Sequence, residues 1–224
     1  MSLLQRVFVS ILGSQLLTQA LLFYIPVHVY RTTGQAADLG IVFFLEWLPA
    51  IAIFPFAGRW IRHLSPVSVL RAVAAVRAVL LLGIAAGSLV HPVPPVVMYA
   101  GLLVFSVTMS FYRLAAEMLS ARQFTQGEAA AAQAKVQTTD ILAFVIGPAL
   151  GGLCVDRLAL ETMFALSALA FIGLHAFVNG LRPPMPDGAE QAHAEVGFMQ
   201  TLRFLFGHPM LRAHMMLNFS INLV

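Results

Sequence analysis

The chain has 224 residues, of which 59% are hydrophobic and only 10% are charged, whereas soluble domains carry about 25% charged residues. Together with a mean hydropathy of +0.85, this composition excludes an ordinary soluble domain and predicts an all-α protein that crosses a membrane several times. The net charge of +3 is spread between apolar stretches instead of clustering on one face, so we expect no nucleic-acid partner.

Six apolar stretches have the length of about 20 residues that a helix needs to cross the hydrocarbon core. In chain order they are 7–30, 39–58, 67–90, 96–118, 132–155 and 160–180. A seventh stretch begins near Met210 and is cut off at Val224. We therefore expect the chain to stop inside the membrane.

These stretches divide the chain into three predicted regions. Residues 1–181 form a six-helix transmembrane bundle, and residues 208–224 are the start of a seventh transmembrane helix. Residues 182–207 have the proline-rich and polar composition of a cytoplasmic linker. Within the linker, apolar residues at helical spacing predict a short interfacial helix; they are Phe198, Leu202, Leu205 and Phe206.

The distribution of arginine and lysine predicts the orientation of the bundle. Most of these residues lie on the side that carries the N-terminus, whereas Arg31 and Arg157 lie on the other side. The N-terminus is therefore expected to be cytoplasmic, in a multi-pass protein of the cell membrane.

Four charged residues lie within the predicted spans, where each costs about 2.5 to 3.5 kcal/mol to insert. They are Glu46, Arg77, Asp140 and Arg113. At 1.5 Å per residue, Glu46 and Arg77 lie at similar depths of about 18 and 15 Å, so the two could form an ion pair. We expect Asp140 either to compete with Glu46 for Arg77 or to face Arg113 at the inner end of the fourth span. These charges either neutralise one another to hold helices together, or Glu46 or Asp140 exchanges a proton during transport.

The sequence carries no enzyme motif. The only lysine, Lys135, follows Ala134, so there is no Gly-Lys-Ser/Thr phosphate loop, and no Gly-x-Ser-x-Gly motif occurs. The single cysteine and the scattered histidines lack metal-ligand spacing. We therefore expect no catalysis, no cofactor and no metal.

The fifth stretch contains a proline and three glycines in the run Gly147-Pro148-Ala149-Leu150-Gly151-Gly152. Proline and glycine are tolerated in transmembrane helices when neighbouring helices pack against the altered backbone. The run is accompanied by Tyr30-Arg31-Thr32-Thr33-Gly34, Pro55-Phe56-Ala57-Gly58 and Phe111-Tyr112-Arg113.

With these motifs, the chain resembles the N-terminal half of a major facilitator superfamily transporter. It most resembles the bacterial enterobactin-exporter-like branch of drug and siderophore exporters. The resemblance implies an inverted repeat of three plus three helices, location in the inner membrane, and a C-terminal six-helix half as partner, from the same gene product or another chain.

Two motifs of that family can be compared residue by residue. The fifth-helix antiporter motif, Gly-x-x-x-Gly-Pro-x-x-Gly-Gly, is matched by Gly147, Pro148, Gly151 and Gly152, with Ala143 in place of the first glycine. The resemblance implies that this run contacts the other transporter half. In the loop between helices two and three, Gly58 matches, but Arg62 stands where the family usually has aspartate.

The family lines its central cavity with helices one and four, which directs attention to a polar stripe on the first span. Ser14, Gln15, Thr18 and Gln19 are the cavity candidates, with Tyr112 on the fourth span. The alternative is that these side chains bond to their own backbone or to a neighbouring helix.

Two functions remain open at this point. The first is a secondary active transporter that exports small amphipathic molecules such as drugs or siderophores in exchange for protons. The second is a non-transporting six-span membrane protein, either a truncated remnant or a helix-interaction module that needs a partner chain.

Overall fold

The structure, a computed structural model, describes residues 3–61, 64–123, 126–179, 203–204 and 206–213. Over these residues it contains long helices and no strand. The six long helices are α1 (Leu3–Thr33), α2 (Ala36–Ile61), α3 (Pro66–Ser88), α4 (Pro95–Gln123), α5 (Gln126–Val155) and α6 (Leu160–Asn179).

Five segments of the described helices are long and apolar enough to cross a membrane. They are Phe8–Thr33, Pro66–Ser88, Pro95–Leu119, Ala134–Val155 and Leu160–Phe177. The five corresponding predicted spans are thus confirmed as potential membrane spans. The remaining one, 39–58, falls within α2 and stays a prediction.

Proline and glycine set several of the helix ends. Pro66 and Pro95 are the first residues of α3 and α4, where the missing backbone N–H would have had no partner in the helix. Gly34 follows the end of α1 with a φ of +68°, and its N–H donates to the carbonyl of Tyr30 at 2.8 Å. This left-handed cap turns the chain from α1 into α2.

The helices pack in a pattern that relates the first three to the last three. α1 packs along α5, as α4 packs along α2, and α3 packs along α6. The contacts of α1 with α6 and α2 are likewise matched by those of α4 with α3 and α5. The set of helix pairs is therefore unchanged when α1, α2 and α3 are exchanged for α4, α5 and α6, as a repeat of three plus three helices requires.

Two apolar clusters form the core of the bundle. One is built around Leu21, Leu81 and Phe164, and the other around Ile11 and Leu70. On α1, α3 and α4, buried polar residues fall between the two clusters, and we call this set the polar layer. Its members are Ser14, Gln15, Thr18, Arg77, Ser106, Thr108 and Ser110.

The chain divides into two compact units, 1–184 and 185–224. In the second unit, the described residues form short helical segments in which His208 N–H donates to the carbonyl of Phe204 and Arg212 N–H to that of His208. Phe206, from the predicted interfacial helix, is exposed. Phe198, Leu202 and Leu205, like residues 214–224 of the predicted seventh helix, lie outside the described residues.

Candidate polar site in the membrane bundle

Arg77 is the centre of the polar layer. It lies about 16 Å along α3 from Pro66, close to the middle of the helix, and its exposed fraction is 0%. Its Nε donates to Thr108 Oγ1 on α4 at 3.0 Å, and its Nη1 donates to Thr18 Oγ1 on α1 at 2.8 Å. The guanidinium thereby joins three helices.

Three aromatic rings surround the same guanidinium. Its Cζ lies 5.1 Å from the ring centre of Phe105 and 5.7 Å from those of Tyr112 and Phe171. Cation–π attraction is strongest at desolvated sites such as this one. Aromatic faces and neutral hydroxyls therefore stabilise the buried charge, and Phe171 extends its contacts to a fourth helix, α6.

The predicted ion pair between Glu46 and Arg77 does not form in the described part of the chain. The Arg77 side chain is held by α1, α4 and α6, whereas Glu46 is a half-buried residue of α2. The bond that joins Glu46 to α4 involves its backbone, because its carbonyl accepts a hydrogen bond from the hydroxyl of Ser106. The prediction was wrong because sequence depth gives the height of a residue in the membrane but not its direction around the helix.

Asp140 and Arg113 also have partners other than those predicted. Gln15 Nε2 on α1 donates to Asp140 Oδ1 on α5 at 3.0 Å, so Asp140 pairs with a neutral amide. Arg113 Nε lies 3.5 Å from Glu117 Oε1 on the same helix. The spacing of four residues between Arg113 and Glu117 could have revealed this second pair from the sequence.

The polar stripe of α1 faces neighbouring helices. Ser14, Gln15 and Thr18 are buried, and Thr18 Oγ1 donates to the carbonyl of Ser14 at 2.7 Å while accepting from Arg77. Tyr112, the candidate on α4, is also buried, with its hydroxyl 3.4 Å from the carbonyl of Ile11. In this conformation these side chains join helices, as the structural alternative predicts, and Gln19 is half-buried beside α5.

The glycines of the fifth-helix motif pack against α1. A Cβ atom added to Gly147 would overlap Cβ of Gln19, and one added to Gly151 would overlap the backbone carbonyl oxygen of Ala20. At Gly152 the added atom would lie 3.3 Å from Cε1 of Phe23. In this chain the glycines therefore pack closely against α1, and the expected contact of the run with another transporter half stays a prediction.

For the other described residues of the two motifs, the structure gives burial or position in a helix. Ala143 is buried, Pro148 is half-buried, and Gly58 lies in the last turns of α2. Arg62 lies outside the described residues, so the departure from the family pattern at that position stays a sequence observation.

Two polar contacts at helix ends were not predicted from the sequence. Arg31 Nη2 at the end of α1 lies 2.6 Å from Asp156 Oδ1 just after α5, and both side chains are exposed. The Tyr99 hydroxyl on α4 donates to Asp38 Oδ1 at the start of α2 at 2.7 Å. Hydrogen bonds from Thr33 and Tyr99 hold the pKa of Asp38 below its usual value. These contacts link the same two helix pairs, α1–α5 and α2–α4, that the repeat relates.

Comparison with known proteins gives one result. A family model described as Major Facilitator Superfamily matches residues 7–224. No curated protein and no solved structure gave a significant match.

Proposed function

Because this chain belongs to the major facilitator superfamily, whose members are membrane transporters, we propose that it takes part in proton-coupled export of small amphipathic molecules such as drugs or siderophores. The family match and the apolar helices make it a multi-pass membrane protein. The direction of transport, the coupling ion and the substrate class are the proposed part.

The observation that carries the proposal is the hydrogen bond between Asp140 and Gln15 inside the bundle. A carboxylate paired with a guanidinium stays ionised, but one bonded to a neutral amide in a poorly solvated site can gain and lose a proton. Arg77, the buried cation of the polar layer, is held by Thr18 and Thr108 instead. We therefore assign the coupling proton to Asp140 in this proposal, and Glu46 is a second candidate for the same role.

A complete transport pathway requires a second set of helices that faces this bundle across the substrate cavity. The helices α2 and α5 both present large apolar side chains that are exposed in this chain, among them Phe44 and Trp47 on α2 and Phe144 and Val145 on α5. We propose that a C-terminal six-helix half, from the same gene product or a partner chain, covers part of these faces. The substrate would then bind between the halves, which rock to expose it alternately to the two sides.

We also propose that the chain lies in a bacterial inner membrane, in the orientation expected from its sequence. The bundle of residues 1–181 has its N-terminus in the cytoplasm, residues 182–207 form the cytoplasmic linker, and residues 208–224 begin the seventh helix.

Transport can be tested with the purified chain in proteoliposomes that enclose a pH-sensitive dye. The probes are ethidium, an amphipathic cation, and 2,3-dihydroxybenzoate, a catecholate. We expect at least one probe to cause proton movement that is lost in Asp140→Asn and kept in Asp156→Asn, which changes an exposed carboxylate at a helix end. Absence of probe-dependent proton movement, both with the wild-type chain alone and with the chain joined to a C-terminal six-helix half, would contradict the proposed export and favour the non-transporting alternative.

A further inference from the structure

We propose that the groove between the end of α3 and the start of α4 binds one acyl chain of a membrane phospholipid from the leaflet in which α3 ends. The groove has a volume of about 320 Å³, and it is lined by Val79, Gly83 and Gly87 on α3, by the loop between the helices, and by Val97 in the first turn of α4. This inference is independent of the proposed transport, because it concerns the outer surface of the bundle.

The groove lies on a surface that the bilayer covers. Both of its helices contain a segment that is long and apolar enough to cross a membrane, Pro66–Ser88 in α3 and Pro95–Leu119 in α4. At its rim, the side chain of Val79 is 71% exposed and that of Val97 is 37% exposed. In the part of the chain that the structure describes, its lining includes no Asp, Glu, Lys or Arg. In a membrane, such a groove meets hydrocarbon chains instead of water.

The shape of the groove suits a single hydrocarbon chain better than another helix. A Cβ atom added to Gly83 or Gly87 would meet no atom within 4 Å, so the glycines leave the α3 side of the groove open. At the base, Ile84 Cδ1 lies 3.3 Å from the place of a Cβ on Gly101, so α3 and α4 pack closely there. Packed helices have axes about 8 to 10 Å apart, and a helix with its side chains is about 10 to 12 Å wide. A helix of a second copy therefore cannot enter between them, whereas an unbranched chain can.

The dimensions of the groove match one acyl chain in one leaflet. Val79 lies nine residues before Ser88, the last residue of α3, which corresponds to about 14 Å at 1.5 Å per residue. The hydrocarbon core is about 30 Å thick, so one leaflet supplies about 15 Å of it. If each methylene takes about the 30 Å³ share of a water molecule, the volume of about 320 Å³ accommodates about ten of them. Length and volume therefore agree on the same occupant.

The loop that closes the upper end of the groove is held in place. The backbone N–H groups of Val90 and His91 both donate to the carbonyl of Gly87 at 3.1 Å. Pro92 and Pro94, which line the groove, have a fixed φ because of their rings. Binding of an acyl chain therefore does not have to order this wall, which reduces the entropy lost on association.

The charges near the mouth of the groove favour a phosphate headgroup. His91 lines the groove and is exposed just beyond the end of α3, and an imidazole N–H can donate to a phosphate oxygen. No aspartate or glutamate occurs between Glu46 and Glu117 in the sequence, so α3 and the loop carry no carboxylate that would repel the phosphate. Asp38, at the start of α2, is bonded to the hydroxyl of Tyr99. These groups favour a phospholipid over a cationic amphiphile.

Photolabelling of the full chain in lipid tests the site. The vesicles consist of phosphatidylethanolamine and phosphatidylglycerol, with a trace of phosphatidylethanolamine that carries a diazirine on one acyl chain, and mass spectrometry locates the label. Ordinary boundary lipid labels exposed apolar surfaces alike, so the label on residues 79–97 is compared with that on the exposed α6 residues Leu166 and Leu169. We expect more label on the groove than on α6 in the wild type, and equal label in Gly83→Leu, whose side chain fills the groove. The matched control is Gly40→Leu on α2, where an added Cβ also meets no atom within 4 Å, and which should keep the excess label.

Three results would overturn the proposal: equal labelling of the two surfaces in the wild type, an excess that survives in Gly83→Leu, or an excess that Gly40→Leu removes as well. Circular dichroism identifies any variant that does not fold, and Gly87→Leu, which fills the upper part of the groove, repeats the test if Gly83→Leu fails to fold. A disulfide between Val79→Cys chains that the wild type does not form would assign the groove to a second copy and would also refute the proposal. None of these measurements requires transport, so they are decided separately from the proposed export.

Discussion

Replacing Gly151 by alanine should force α1 and α5 apart. The new methyl group would overlap the carbonyl oxygen of Ala20, and it would lie 3.2 Å from the carbonyl carbon of Ala20 and from Cβ of Phe23. Favourable carbon–carbon contacts lie at about 3.5 to 4.0 Å. The obstructing atoms belong to the backbone or are fixed to it, so no side-chain rotation relieves the overlap and the helices themselves must move.

The expected loss of stability follows from this geometry. Overpacking a tight site usually costs about 1 to 3 kcal/mol, and the gain of up to about 1 kcal/mol from replacing glycine by alanine in a helix offsets part of it. Separation of the helices would also weaken the bond between Gln15 and Asp140, which joins the same two helices. We therefore expect Gly151→Ala to lower the free energy of unfolding by about 1 to 2 kcal/mol.

The assay is denaturation of the purified chain in mixed micelles, followed by circular dichroism. The matched control is Gly173→Ala on α6, where an added Cβ meets no atom within 4 Å and only the helix-propensity gain applies. Equal stability of the two variants would refute the close-packing argument.

Three further substitutions address the other contacts. Arg77→Lys should lower the free energy of unfolding by about 1 to 3 kcal/mol, because an ammonium group cannot reproduce the guanidinium bonds to Thr18 and Thr108; unchanged denaturation would contradict the role given to the polar layer. Arg31→Ala should change stability by no more than about 1 kcal/mol, since its ion pair with Asp156 is exposed; comparison in low and high salt checks this. Hydrogen bonds from Thr33 and Tyr99 hold the pKa of Asp38 low in the folded state. The ionised Asp38 therefore stabilises the folded state above its unfolded pKa of about 3.9, and this contribution is lost as the pH falls through the folded-state pKa. Tyr99→Phe should therefore be less sensitive than wild type to acid below about pH 4, and identical acid denaturation curves would count against the contact.

The helices themselves could be predicted well from the sequence. The apolar stretch 67–90 corresponds to α3 (Pro66–Ser88), and 160–180 corresponds to α6 (Leu160–Asn179). The first stretch, 7–30, is shorter than α1 (Leu3–Thr33), because backbone hydrogen bonding continues past the end of an apolar run until Gly34 stops it. Length and hydropathy therefore locate helices, and proline or glycine refines their ends.

The partners of the charged residues could not be predicted in the same way. The sequence marks Arg77, Asp140 and Glu46 as charges within predicted spans, but their pairing depends on helix rotation and on which helices are neighbours. Nothing in the sequence near Thr108 or Phe171 marks them as partners of a residue on α3. The glycine run was singled out for its close-packing surface, but the sequence alone did not reveal that α1 occupies this surface.

The placement of Arg77 also sets an order for assembly in the membrane. Thr18 precedes α3 in the chain, whereas Thr108, Phe105 and Phe171 follow it. When α3 leaves the ribosome, its central charge can meet only one of these partners, so the helix enters the bilayer with most of its insertion penalty of about 2.5 to 3.5 kcal/mol unrelieved. Secure insertion of α3 therefore awaits the synthesis of α4 and then α6, and a chain interrupted between α3 and α4 would be a natural target for membrane quality control.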